Sequence, residues 1–255
     1  MTDQKLAIPA TNTPRGLVAV LFVLTAIWPL FIHLDTLPLR LWDEARLAIS
    51  AWEMLHNGDL LVTHFYGQPD MWSTKPPLLI WLQAAFFAIM GPGELASRLP
   101  SAIAAFFTGW FLLRTTAKQL NAPWLGLMAC LIFYTSDGYM NMHVARSGDY
   151  DSLLILLMTT SAWALFRWSE DGKSHDVLLF FVLLTLGVLT KSVQALLFVP
   201  GLGLYLLFQK RFAAPFKVRS PPISALACSY WWRAVSICCV DLRTPATCKP
   251  CGRTN

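Results

Sequence analysis

Long apolar runs alternate with short polar and basic segments along most of this chain. A membrane-spanning helix needs about 20 mostly apolar residues, within a range of about 17–25. The runs predict six spans, near residues 17–35, 97–113, 121–137, 152–167, 177–190 and 193–209. The first run is longer than the apolar region of a signal peptide and no small-residue cleavage site follows it, so we expect a retained first span.

Segment 76–91 is apolar but starts with a proline pair and ends before Gly91-Pro92-Gly93. Its length suits a helix at the membrane interface better than a full span. Lys and Arg are in excess in cytoplasmic loops. If 76–91 does not cross and the N-terminus is cytoplasmic, the loops containing the following basic residues are also cytoplasmic: Arg114, Lys118, Arg167, Lys173, Lys210, Arg211, Lys217 and Arg219. Loops 36–96 and 138–151 and the turn near Lys191 are then outside.

The first outside loop contains the run DEARLAISAWEMLHNGD. The apolar spacing within this run is typical of an amphipathic helix that rests on a membrane or on a bundle. Asp43 and Glu44 favour a helix start, and Asn57-Gly58 favours a stop.

Composition agrees with a membrane protein, because 55% of the 255 residues are hydrophobic and 14% are charged. A soluble domain has about 45–50% apolar and about 25% charged residues. The net charge of +5 does not indicate nucleic-acid binding, because the basic residues flank the apolar runs singly or in short clusters.

Residues 217–255 form a separate, Cys-rich region after the membrane region 1–216, and they hold five of the six cysteines. Cys248 and Cys251 have the spacing of zinc or redox motifs, but one such pair is weak evidence. We interpret the region as a non-native ending, such as an out-of-frame continuation of a truncated chain. A small metal site and an ordinary disordered tail are the alternatives.

Two clusters of ionisable residues flank apolar segments in the long outside loop. Asp43, Glu44 and Arg46 predict either a helix N-terminus that favours acids or a carboxylate base or metal ligand with an anion-binding arginine. Lys75, before the proline pair, is either an interface lysine or a point charge for phosphate.

Asp149 and Asp151 precede a later span on the same predicted side as Asp43. They either keep the loop soluble or share a divalent cation or hydroxyl with Asp43. Lys191, between two apolar runs, is either an interface lysine or a contact to a lipid phosphate.

The sequence resembles the polyprenyl-phosphate-dependent glycosyltransferases of the GT-C fold, particularly the bacterial aminoarabinose transferase branch, which is related to protein O-mannosyltransferases. The resemblance covers roughly residues 15–210. It is carried, in family order, by DEAR at 43–46, GDLLVTHFYGQPDMWSTKPPL at 58–78, ELASRLPSA at 94–102, ARSGDYDSLL at 145–154 and LTKS at 189–192.

The resemblance implies an all-α polytopic membrane protein, a GT-C-like bundle whose structured first extracytoplasmic loop contains interfacial helices. It implies inverting transfer of a sugar from a polyprenyl-phosphate donor to a lipid, glycan or protein acceptor, in the bacterial inner membrane with the site on the periplasmic side. Asp43 is then the general base or the residue that orients the acceptor, and Asp151 assists at the same site. A divalent metal between these two catalytic aspartates is the expected cofactor. Arg46, Lys75 and Lys191 contact the donor phosphate.

Two features depart from the family pattern. Thr74 stands where the aminoarabinose branch often has Glu, which affects metal binding or the sugar. The chain has about six spans where the family has around a dozen. The leading interpretation is therefore a lipid-linked sugar transferase or its N-terminal part, which includes a truncated, inactive form of the enzyme. A transporter or flippase of a lipid-linked substrate and a non-catalytic membrane fragment are the alternatives.

Overall fold

The computed structural model describes residues 15–140 and 144–208. The helices are α1 (Arg15–Phe31), α2 (Asp43–Asn57), α3 (Leu78–Met90), α4 (Glu94–Gln119), α5 (Pro123–Thr135), α6 (Asp137–Met140), α7 (Asp151–Asp171), α8 (Ser174–Lys191) and α9 (Val199–Phe208). A 3-10 helix, Ser192–Leu196, joins α8 to α9. Strands β1 (His64–Phe65) and β2 (Gln68–Pro69) form a short antiparallel hairpin. The predicted Cys-rich region lies outside the described residues.

Three of the described helices are long and apolar enough to cross a membrane. They are α4 (Glu94–Gln119), α7 (Asp151–Asp171), and α8 together with the 3-10 helix (Ser174–Leu196). The other three predicted spans are helical where expected but shorter, because α1 has 17 residues, α5 has 13 and α9 has 10. Helix α3 also has 13 residues. Because α5 has the same length, helix length does not separate α3 from the predicted spans, and the expectation that segment 76–91 does not cross the membrane stays a prediction.

Helix α2 has the predicted bounds. It begins at Asp43, and Gly58 ends it in the left-handed conformation (φ +69°), which glycine adopts without steric cost. Its apolar face, including Leu47, Ala51 and Met54, is buried against α3 and the first residues of α7. The amphipathic helix predicted for the first loop is thereby confirmed.

Three apolar clusters hold the bundle together. The first joins α2 and α3 to the beginnings of α4 and α7. The second joins α1 and α5 to α4. The third packs the far ends of α7 and α8 with α9. The first cluster therefore fixes the beginnings of α2, α3 and α7 at one end of the bundle, where most of the predicted functional residues lie.

Candidate functional site

A pocket with a volume of about 160 Å³ opens beside the first turns of α2. It is lined by Trp42, Asp43, Arg46, Leu47, Ser50, Asp70, Trp72, Ser73, Thr74, Lys75 and Tyr150. Three of the five predicted site residues, Asp43, Arg46 and Lys75, meet there. Asp151 and Lys191 are not among the lining residues.

Arg46 is held by a residue that the sequence reasoning missed. Its Nε donates to Asp70 Oδ2 at 2.9 Å, and its Nη2 donates to Asp70 Oδ1. The guanidinium carbon also lies 4.5 Å from the centroid of the Phe65 ring. Asp70 is part of the motif that contains Lys75. Its position five residues before a predicted phosphate-binding lysine is the sequence feature that could have indicated a role for it in the site.

The Asp70 carboxylate is ionised in this arrangement. Burial acts to raise the pKa of Asp70, but the hydrogen bonds from Arg46 and from the Trp72 N–H outweigh burial and lower the pKa below its ordinary value. The same pair raises the pKa of Arg46. Each side chain of the pair therefore stabilises the charge of the other.

Lys75 also lines the pocket. Its Nζ is 4.9 Å from the centroid of the Tyr150 ring, within the range of a cation–π interaction. Pro76 and Pro77 follow Lys75 and restrain the backbone that presents it. The Tyr150 hydroxyl is buried and has no hydrogen-bond partner among the described residues. The pocket thus combines two cations with a buried donor that lacks a protein acceptor.

Asp151 and Lys191 form an ion pair beside the pocket, with Nζ of Lys191 donating to Oδ1 of Asp151. Asp151 begins α7 directly after Tyr150, and Lys191 ends α8. Their side chains are 30% and 14% exposed. Asp149 is buried, and its carboxylate accepts the N–H of Tyr150 at 2.6 Å. This difference in exposure supports the preference for Asp151 over Asp149.

Glu44, the neighbour of Asp43, faces the core instead of the pocket. Its Oε1 accepts from Arg98 Nε at 2.6 Å and from the N–H of Gly148 at 2.9 Å. Burial acts to raise the pKa of Glu44, but the hydrogen bonds from Arg98, Arg40 and Gly148 lower it. The two adjacent acids of the first motif therefore have separate environments.

Gly148 and Arg146 attach loop 138–151, which the sequence predicts to be outside, to the bundle. The carbonyl of Gly148 accepts from Gln83 Nε2 at 3.0 Å. The guanidinium of Arg146 donates to the carbonyls of Pro29 and Ile32, at 2.6 and 2.9 Å. These contacts satisfy carbonyls at the end of α1, which lack helical partners. Much of the motif 145–154 is therefore structural.

A metal shared by Asp43 and Asp151 stays a prediction. Within residues 15–140 and 144–208 there is no group of three or more His, Cys, Asp or Glu residues that could hold a metal ion. One oxygen of Asp151 is already paired with Lys191. The other oxygen of Asp151 is the one left for an ion, and Asp43 and Asp151 alone supply fewer protein ligands than such a group of three.

Comparison with known proteins gives consistent matches. The sequence model of the dolichyl-phosphate-mannose-protein mannosyltransferase family matches residues 74–232. The undecaprenyl phosphate-alpha-4-amino-4-deoxy-L-arabinose arabinosyl transferase of Edwardsiella ictaluri is 29% identical over 183 residues, which are 70% of this chain and 32% of that protein. The protein of the same name from Pseudomonas savastanoi is 26% identical over 233 residues, 86% of this chain and 41% of that protein.

The crystal structure of ArnT from Cupriavidus metallidurans bound to undecaprenyl phosphate shares the fold, with a TM-score of 0.72 and 18% identity. The match covers 91% of this chain and 43% of ArnT, so the chain spans less than half the length of the relatives it matches. The all-α GT-C-like fold expected from the sequence is confirmed. The family match extends over more than half of the chain, which therefore belongs to the dolichyl-phosphate-mannose-protein mannosyltransferase family.

Proposed function

We propose that this chain carries the donor-phosphate and acceptor-activating part of an inverting glycosyltransferase that uses a polyprenyl-phosphate sugar. The observation that carries the proposal is the meeting of Asp43, Arg46 and Lys75 in one pocket. These residues come from two segments of the first loop, and Tyr150 of the second loop completes the pocket. A relative of the same fold was crystallised with undecaprenyl phosphate, which supports a polyprenyl-phosphate ligand.

In this proposal Lys75 and Arg46 bind the donor phosphate. When the bond between sugar C1 and the phosphate oxygen breaks, its electron pair stays on the phosphate, which gains negative charge. Cations placed in advance stabilise such a charge more in the transition state than in the ground state. The buried Tyr150 hydroxyl, which lacks an acceptor among the described residues, is a further donor for a phosphate oxygen.

Asp43 is the proposed base or acceptor-orienting residue. An acceptor oxygen attacks C1 from the face opposite the phosphate, which inverts the configuration at C1. If the acceptor is a hydroxyl, its proton passes to the Asp43 carboxylate as the C1–O bond forms. Asp151 assists from the start of α7, where it is paired with Lys191. Lys191 reaches the donor phosphate only if it leaves Asp151.

We also place the pocket on the extracytoplasmic side of the bacterial inner membrane, with the N-terminus in the cytoplasm. The three span-length helices support this orientation. Arg98 of α4, Asp151 of α7 and Lys191 of α8 are at the pocket end. The basic residues at the opposite ends are Arg114, Lys118, Arg167 and Lys173. In the predicted topology, ten Lys and Arg residues of residues 1–219 belong to the side of those far ends and six belong to the pocket side. The side richer in Lys and Arg is typically the cytoplasmic one.

A transporter or flippase is not favoured. Transporters bind substrate near the bilayer midplane, at the ends of discontinuous helices. Asp43, Arg46 and Lys75 instead line one pocket at an end of the bundle, and the relatives carry the names of transferases.

Ligand binding is the first test, because the chain spans less than half the length of its relatives. We would place the chain in phosphatidylcholine nanodiscs and compare the binding of polyprenyl phosphate with that of the matching polyprenol. Wild-type protein should prefer the phosphate, and Lys75→Ala should lose most of that preference. Lys173→Ala, which removes a lysine from the opposite end, is the matched control. Equal binding of the two lipids by wild-type protein would contradict the proposal.

The role of Asp43 is tested by sugar transfer. In a longer protein that contains this region and transfers sugar, Asp43→Asn should keep the preference for polyprenyl phosphate but lose transfer to an acceptor, because the amide cannot accept the proton. Transfer near the wild-type rate would rule out Asp43 as the base.

A further inference from the structure

The β1–β2 hairpin is fixed to the helix that carries Arg46. The N–H of Asp70 donates to the carbonyl of Thr63 at 2.7 Å, which closes the hairpin. The N–H of Gly67, in the turn, donates to both carboxylate oxygens of Glu53 at 3.2 and 3.1 Å. Glu53 is on α2, two turns beyond Arg46. The hairpin and Arg46 therefore form one unit.

The hairpin surrounds the guanidinium of Arg46 on two sides. Phe65 of β1 stacks on one face of the planar group at 4.5 Å. Asp70, directly after β2, takes the edge formed by Nε and Nη2. The Asp70 side chain is 2% exposed and that of Arg46 is 25% exposed. A buried carboxylate is costly without its partner, so this contact keeps Arg46 in one orientation.

The pair leaves part of Arg46 available. A guanidinium has five N–H donors in a fixed, planar arrangement. Asp70 takes one from Nε and one from Nη2, which leaves two on Nη1 and one on Nη2. Two of the remaining donors form the second edge, which matches two phosphate oxygens. A phosphate can therefore bind Arg46 without displacing Asp70.

We propose that Asp70 is a positioning residue for the donor phosphate site, and that the β1–β2 hairpin holds Arg46 in its phosphate-binding orientation. The inference rests on the proposed function. Asp70 does not touch the ligand. It acts through Arg46, and it also cancels the charge of Arg46, so Lys75 supplies the attraction for the phosphate and Arg46 supplies the directed hydrogen bonds.

Two substitutions separate positioning from charge. Asp70→Glu keeps the charge and moves the carboxylate by one methylene, whereas Asp70→Asn keeps the shape and removes the charge. If Asp70 positions Arg46, both should reduce the preference for polyprenyl phosphate over polyprenol, by about tenfold for one lost charge-assisted hydrogen bond. If Asp70 only opposes the phosphate charge, Asp70→Asn should increase the preference. Asp59→Asn removes an exposed carboxylate from the same loop and is the control.

The dependence on Arg46 is tested with Arg46→Lys, which keeps a charge but lacks the two edges. In that background Asp70→Asn should have little further effect. Phe65→Leu is an independent variant that leaves the Asp70 carboxylate in place. It should also reduce the preference for polyprenyl phosphate, and this reduction should be absent in the Arg46→Lys background. Unfolding temperatures of all variants in the same nanodiscs identify any that fail to fold.

An unchanged or increased preference in Asp70→Asn would overturn the inference while Lys75→Ala still supports the proposed function. So would an undiminished effect of Asp70→Asn in the Arg46→Lys background. If wild-type protein does not distinguish polyprenyl phosphate from polyprenol, the proposed function fails and this inference fails with it. The inference is established if Asp70→Glu and Asp70→Asn both reduce the preference for polyprenyl phosphate and if neither does so in the Arg46→Lys background.

Discussion

Glu44 and Arg98, which are 54 positions apart, form a buried two-point ion pair at the pocket end of the bundle. Arg98 Nε and Nη2 donate to the two carboxylate oxygens at 2.6 and 3.0 Å. Arg98 also donates to the carbonyls of Leu34, Leu37 and Pro38. The pair thus joins α2 and α4 to the segment after α1. The N–H of Gly148, in loop 138–151, donates to the same carboxylate and attaches that loop to the junction. Asp43, next to Glu44, is held in place by this junction.

Replacing Glu44 by Gln should destabilise the fold strongly. The change leaves the Arg98 charge buried without its counter-ion, and breaking a buried pair costs about 3–5 kcal/mol. Unfolding in detergent micelles measures the loss. Asp171→Asn, which breaks an exposed pair with Lys173, should change the unfolding free energy very little, because exposed ion pairs are screened by solvent. Comparable losses in the two variants would contradict a structural role for Glu44.

Acid should weaken the same junction. The hydrogen bonds to Glu44 hold its pKa below the ordinary value of 4.5. The unfolded chain therefore binds this proton more readily, so the contribution of Glu44 to stability is complete above about pH 4.5 and is lost as pH falls through the folded pKa. The unfolding temperatures of wild-type and Glu44→Gln protein should converge as pH falls from about 7 to about 3. A constant difference would show that Glu44 does not titrate in this way.

Gly148→Ala should also destabilise the fold, because the backbone of the second loop lies very close to α4. A Cβ at Gly148 would stand 2.7 Å from Ser97 Oγ and 3.0 Å from the Ser97 carbonyl oxygen. Overpacking of this kind costs about 1–3 kcal/mol. Gly138→Ala is the matched control, since a Cβ there meets nothing within 4 Å. Equal unfolding temperatures for the two variants would contradict the close approach.

The sequence predicted local structure well. Asp43 and Gly58 mark the ends of α2 because helix starts and stops depend on neighbouring residues. Three of the predicted spans contain helices of only 17, 13 and 10 residues. Hydropathy shows where the chain is apolar, but it does not show where the helix within an apolar run ends. Helix α5, for example, ends before Ser136. In the site, the motif residues Asp43, Arg46 and Lys75 met as expected.

The pairings inside the site could not be predicted. Asp70 is 24 positions from Arg46, and Asp151 is 40 positions from Lys191. Hydrophobic periodicity describes which face of an element is buried, and it carries no information on which charges meet across loops. Arg46 and Lys191 were therefore predicted as phosphate contacts without the carboxylates that hold them.

Metal removal tests the predicted cation at Asp43 and Asp151. Because Lys75 and Arg46 supply the positive charge of the pocket and Lys191 occupies one oxygen of Asp151, we expect chelation with EDTA to leave the preference for polyprenyl phosphate unchanged. The binding assay in nanodiscs, before and after EDTA, measures this. A loss that Mg²⁺ or Mn²⁺ restores, and that Asp43→Asn abolishes, would instead support the cation.

The Asp151–Lys191 pair defines the last prediction, because Lys191 was expected to contact the donor phosphate. Asp151→Asn and Lys191→Gln should each lower the unfolding free energy, and the double variant should lose less than their sum by about 1 kcal/mol, as coupled charges do. Since Lys191 is not among the pocket residues, Lys191→Gln should not reduce the preference for polyprenyl phosphate further once Asp151 is Asn. An additional loss in that background would show that Lys191 itself contributes to binding of the phosphate.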